Sequence, residues 1–135
     1  MIDAKQACPC ASGETYTNCC QLLHQGKTKA QTAAQLMRSR YSAYTFKLID
    51  YLVKTTHPDK RPENLRQEIS DWANRVEFYR LEIISTWQGL ATDKSGKVEF
   101  IAHFLLQDKE QLLCEISRFK RYRKDWVYLD GEIGK

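Results

Sequence analysis

Residues 98–106 read Val98-Glu99-Phe100-Ile101-Ala102-His103-Phe104-Leu105-Leu106. Val98, Phe100, Ala102, Phe104 and Leu106 fall on one side of a period-two repeat, with Glu99, Ile101, His103 and Leu105 on the other. That is the pattern of a β-strand. The same period begins at Val76, where Phe78, Arg80, Glu82 and Ile84 alternate with Tyr79, Leu81, Ile83, Ser85 and Trp87. Asp93-Lys94-Ser95-Gly96 between the two runs predicts a hairpin turn. Gln107-Asp108-Lys109-Glu110 predicts a second turn, residues 112–122 a third long strand, Lys124-Asp125 a tight turn and residues 126–129 a fourth strand. Strands joined this closely make an antiparallel meander.

Ahead of the sheet the period is helical. Ala33, Leu36, Met37, Arg40, Tyr41, Tyr44, Leu48, Tyr51 and Leu52 recur at spacings of three and four, behind Thr32 as a cap. This region is expected to bend near Lys47 and to end at Thr56-His57-Pro58, because Pro58 disfavours helix for His57. Pro62-Glu63-Asn64 opens another helix, over about residues 63–74, with Leu65, Ile69, Trp72 and Ala73 on one side. Helices followed by a meander predict an α+β fold. Both faces of the long strands carry apolar residues, so the sheet is expected to curl around the helices and leave a pocket.

The 135 residues suit one domain with room for a small appendage. Hydrophobic residues make up 42% and charged residues 28%, which argues against disorder. Mean hydropathy is −0.58, and no apolar run approaches the ~20 residues that span a bilayer. Met1-Ile2-Asp3-Ala4-Lys5 offers no apolar leader, so a cytoplasmic protein without membrane insertion is expected. The net charge of +4 falls short of what by itself implies a nucleic-acid binder.

The first 25 residues have too few apolar side chains to fold without a staple. They hold four of the five cysteines, Cys8, Cys10, Cys19 and Cys20, spaced Cys-x-Cys-x8-Cys-Cys. Clustered cysteines in a cytosolic chain point to metal or redox chemistry before structural disulfides. Zinc takes four thiolates in a tetrahedron, and a site closed by four protein ligands is structural rather than catalytic. A disulfide or redox cluster and a set of inert cysteines are the alternatives. His24 is either a substitute ligand or a hydrogen-bonding neighbour, and the distant Cys114 is expected in the core of its strand.

Cys8-Pro9-Cys10-Ala11-Ser12-Gly13, with Tyr16, Cys19 and Cys20, resembles the SEC-C zinc motif known from the C-terminus of the SecA translocation ATPase. Leu36-Met37-Arg38-Ser39-Arg40-Tyr41-Ser42-Ala43-Tyr44, Thr56-His57-Pro58, Glu115-Ile116-Ser117-Arg118-Phe119 and Trp126-Val127-Tyr128-Leu129-Asp130-Gly131 resemble the bacterial YchJ-like family. That resemblance implies a SEC-C module over residues 1–25 and an NTF2-like cone of helices and curved sheet over 26–135. It implies structural Zn²⁺ on Cys8, Cys10, Cys19 and Cys20, and it brings no established reaction.

Arg40, His57, His103 and Glu115 are the pocket candidates. An acid–base role needs His103 and Glu115 within hydrogen-bond reach inside the cone. Structural roles compete with it: His57 capping a helix end, and Arg40 meeting a buried carboxylate such as Glu115. Arg118, Lys120, Arg121, Arg123 and Lys124 crowd the end of the third strand and the turn that follows, either as a nucleic-acid surface with Tyr122 and Trp126 or as a solvated, edge-protecting strand. The reading favoured is a zinc-binding, non-enzymatic adaptor that recognises a protein or peptide, since SEC-C modules of the SecA family bind partner proteins and ribosomal surfaces. The alternatives are an RNA- or ribosome-binding module on the basic strand, and a small-molecule binder or lyase-type enzyme in the cone.

Overall fold

The computed structural model describes residues 5–133; residues 1–4 and 134–135 of the two expected segments lie outside it. Strands β1 (Val76–Gln88), β2 (Ser95–Leu106), β3 (Lys109–Tyr122) and β4 (Asp125–Ile133) form one antiparallel sheet in the order β1-β2-β3-β4. The meander is the one the alternation predicts, but the faces of β1 are not. Tyr79 and Ile84 are each left over where the pairing with β2 shifts, between Phe78/Arg80 and Ile83/Ser85. A bulge of this kind bends the strand and reverses the alternation. Phe78, Leu81 and Ile83 therefore all reach the core, while Tyr79 and Ile84 are each 49% exposed.

The turns are also shorter or shifted. Gln107-Asp108 and Arg123-Lys124 each close a hairpin with both residues at positive φ, the geometry of a type I′ turn. The first connection spans residues 89–94, and Ser95 and Gly96 belong to β2. Gly96 lies against Gly89, where a Cβ would fall 2.4 Å from the Gly89 Cα. Two backbones pass there at a distance that only glycine permits.

Four α-helices precede the sheet among the described residues, α1 (Cys20–His24), α2 (Ala33–Thr45), α3 (Ile49–Lys54) and α4 (Leu65–Arg75), and α2 and α4 pack against it. Thr32 caps α2 by accepting from the Gln35 N–H at 3.1 Å, and the Gly89 carbonyl accepts from the Ala33 N–H at 2.9 Å. The expected bend is a break: Lys47 turns to φ 57° and α3 restarts at Ile49. Leu36, Met37 and Tyr41 of α2 pack on Leu81, Val98, Phe100, Ala102, Phe119 and Trp126 of the sheet. A second cluster of Ala43, Tyr51, Leu52 and Ile69 joins α2 to α3 and α4. Cys114 belongs to neither. It pairs with Ile101, outside the core, because inward positions on β3 go to Glu115, Ser117 and Phe119.

Candidate metal centre

A small hairpin and a helix start bring the four cysteines together. The Cys8 N–H donates to Glu14 O and the Tyr16 N–H to Gln6 O, both at 2.9 Å, with Ala11 and Gly13 at positive φ in between. This loop presents Cys8 and Cys10. A 3-10 turn at Tyr16–Asn18 then runs into α1 and presents Cys19 and Cys20. All four sulfurs lie within 4.8 Å of one another, and Cys8, Cys10 and Cys20 are buried. Cys10 and Cys19 are 3.6 Å apart at sulfur, Cys19 and Cys20 3.9 Å. None of the five cysteines is joined in a disulfide.

The electrostatics are those of thiols that cannot all ionise unaided. Hydrogen bonds from Cys10 and Cys20 hold the Cys8 thiol far below its ordinary range. The same contacts with Cys10 and Cys8, and then burial, push Cys20 far above it. Burial pushes Cys19 up to about 11, against a bond from Ser12. One thiolate forms at the expense of its neighbours, so four require a cation among them. The cluster can therefore bind a metal, and its four soft donors select the kind.

The rest of the chain supports this cluster directly. Ser42 in α2 donates to the Cys20 sulfur at 3.3 Å and lies 3.5 Å from that of Cys8. Arg38 donates to the Cys10 carbonyl. His24 makes no contact with a cysteine sulfur; its ring joins the Tyr16 hydroxyl at 2.6 Å to the Ser39 carbonyl at 2.8 Å. Tyr16 packs edge-on against Phe46 and His24 against Tyr51, each at 4.7 Å between centroids. Ser42 escaped the sequence reading, although Ser39 and Ser42 inside the apolar stripe of α2 are a legible sign of a polar contact on the buried face.

The pocket candidates separate. Arg40 and Glu115 line one cavity of about 160 Å³ between α2, α4 and the sheet; His57 and His103 do not. His103 lies on the opposite face of β2 and bonds Glu82 at 2.7 Å, so His103 and Glu115 form no acid–base pair. His57 caps no carbonyl. Its Nδ1 accepts from the Asp59 N–H at 3.1 Å, and the His57 backbone N–H donates to Tyr128 O at 2.8 Å, tying the end of α3 to β4. Arg40 meets no carboxylate directly. Its Nη1 donates to Leu52 O, Thr55 Oγ1 and Thr56 Oγ1 at 2.9, 2.7 and 3.3 Å, and its guanidinium stacks 4.6 Å over Tyr128.

The basic strand divides as well. Arg118 is held by both carboxylate oxygens of Asp130. Arg121 donates to Asp93 O, Ala91 O and Lys124 O at 3.1, 2.9 and 3.0 Å and stacks 4.1 Å over Trp126. It is a clamp on the loop before β2. Lys120, Arg123 and Lys124 remain exposed.

No helix among the described residues is long and apolar enough to cross a membrane. Residues 32–131 match the model of a family described as the middle NTF2-like domain of YchJ. A UPF0225 protein of Actinobacillus succinogenes is 40% identical over 126 residues, 93% of this chain and 81% of the relative. One of Geobacter sulfurreducens is 38% identical over 92% of this chain and 77% of its own length. Two solved structures share the fold. A SEC-C motif containing protein from Rhodopseudomonas palustris superposes with a TM-score of 0.86 at 35% identity, over 95% of this chain and 98% of that one. Another, from Psychrobacter arcticus, does so at 0.83 and 29%, over 100% and 86%. An N-terminal cysteine cluster seated on an NTF2-like α+β domain, with these relatives, means that the chain belongs to the YchJ-like UPF0225 family.

Proposed function

We propose that this protein is a zinc-stapled, non-enzymatic adaptor of the cytoplasm, which recognises a protein or peptide partner through its cysteine module. The observation that carries the proposal is the closed thiol cluster. Zn–S bonds of ~2.3 Å in a tetrahedron set sulfurs about 3.8 Å apart, and the 3.6 and 3.9 Å separations bracket that value. Cys8, Cys10, Cys19 and Cys20 fill all four positions, leaving none for substrate, so the zinc holds structure. What it holds is a small surface of exposed polar residues, among them Ser12, Glu14, Thr17 and Asn18, rigid on a metal and on α2. The separation of His103 from Glu115 removes the pair on which a lyase-type reading rested.

The test has two stages. Protein purified under reducing conditions without chelator should carry one zinc per chain, and Cys10→Ser should lose it. Partner capture by tagged full-length chain should then follow the metal, be lost in Cys10→Ser, and be reproduced with the purified partner. Metal-free wild-type protein, or capture indifferent to Cys10→Ser, would refute the adaptor reading.

A further inference from the structure

The cavity beneath α2 is built unlike a packing defect. Packing voids are apolar, whereas this one is lined by the buried Arg40, 8% exposed, and by Glu115. Both charges are held in place by neighbouring protein groups. Three bonds from Nη1 anchor the Arg40 guanidinium, leaving its other nitrogens free of described hydrogen bonds. Ser117 donates to Glu115, whose carboxylate packs against Gly131, where a Cβ would meet Oε2 at 2.3 Å. The phenols of Tyr44 and Tyr128 also line the space. Trp72, Phe78, Phe100 and Phe119 supply aromatic walls. Tyr44, Trp72 and Leu113, which also line it, are half-buried.

We propose that this cavity is a binding site for a small, uncharged aromatic molecule carrying an adjacent hydrogen-bond acceptor and donor, as an aromatic primary carboxamide does. The aromatic walls accept a ring, and a volume of about 160 Å³ is that of a cavity which takes benzene. The cation and the carboxylate offset each other, so a neutral ligand adds no buried charge, whereas an anion or a cation leaves one uncompensated. A carbonyl oxygen accepts from the free face of Arg40, and an N–H donates to Glu115. The site is separate from the cysteine cluster, and its occupancy does not depend on the adaptor reading.

The experiment uses full-length, metal-loaded protein titrated with benzamide, benzoate and benzylamine, and followed by NMR at the lining side chains. Benzamide should saturate with a dissociation constant below about 1 mM, within the efficiency of a ligand of this size. The two charged probes should bind at least tenfold more weakly. Ala102→Leu fills the cavity from β2 and should abolish binding. Glu115→Gln leaves Arg40 uncompensated and should reverse the preference to benzoate; a purely structural Glu115 would not do this. Glu115→Gln carries the test if Ala102→Leu fails to fold. Absence of saturable shifts with all three probes overturns the proposal. So does equal affinity for them, survival of binding in folded Ala102→Leu, or an unchanged preference in Glu115→Gln.

Discussion

The Ser42 hydroxyl, in the middle of the helix that forms the NTF2-like core, donates to the sulfur of Cys20 at 3.3 Å. The cysteine module is thus hydrogen-bonded at its sulfurs to the domain that carries it. Partners of this kind stabilise the thiolate and orient it, and their loss typically weakens metal binding 10–100-fold. Ser42→Ala should lower zinc affinity by about tenfold or more in competition with a chromophoric chelator, with the stoichiometry still at one. Unchanged affinity would mean that the bond serves packing alone.

His24 supplies a pH dependence. Burial lowers its imidazole below the ordinary value of 6.5. Between 6.5 and that lower value the unfolded chain takes up a proton that the folded chain refuses, so stability falls as pH drops through this window. His24→Gln keeps a donor for the Ser39 carbonyl and removes the titration. At pH 8 the variant should be less stable by about 1 kcal/mol. The gap should narrow towards pH 5.5, as measured by thermal melts of both proteins.

Zinc removal should act locally first. Ligand thiolates take up protons as metal leaves, so chelation at mildly acid pH should melt residues up to about 25 while the sheet amides stay protected from exchange. Phe46 and Tyr51 lose their aromatic partners Tyr16 and His24 in the process. A deletion of residues 1–25 should therefore fold, but with a lower melting temperature than the intact protein. An insoluble deletion would make the module part of the core.

Arg121 and its basic neighbours should differ sharply on substitution. Arg121→Ala removes three carbonyl contacts and a stacked ring and should cost about 2 kcal/mol. Lys120→Ala and Arg123→Ala should stay within about 0.5 kcal/mol. If RNA bound this strand, the three exposed cations would contribute about 2 to the log–log salt slope. We expect no submicromolar RNA binding at about 150 mM salt, tested by filter retention across a salt series.

Gly96→Ala would place a Cβ 2.4 Å from the Gly89 Cα, backbone against backbone. Forcing β1 and β2 apart there should destabilise the protein by about 3 kcal/mol, measured in urea. A neutral outcome would mean that the 89–94 loop yields freely.

Periodicity was enough for element type and order, because strand and helix periods are local properties of the chain. Val98, Phe100, Ala102 and Phe104 face the core as their alternation requires. The cysteine spacing was legible for the same local reason, since a turn and a helix start suffice to bring four sulfurs together. The resemblance to YchJ-like proteins, carried by motifs along the chain, is borne out by relatives about 40% identical.

Tertiary structure decided what depends on two distant segments meeting. The bulges at Tyr79 and Ile84 arise from pairing with β2, so no reading of β1 alone reveals that Phe78 and Leu81 share a face. His103 and Glu115 both sit on strands as expected, but a single residue of parity puts one outside and the other inside the cone. Arg40 found carbonyl and hydroxyl acceptors at the end of α3 and left Glu115 to Ser117 and Gly131, because a buried guanidinium takes whatever acceptors the packed helix ends present to it. Side-chain chemistry and local period were written in the sequence; which partner each charge met was settled only when the sheet closed over the helices.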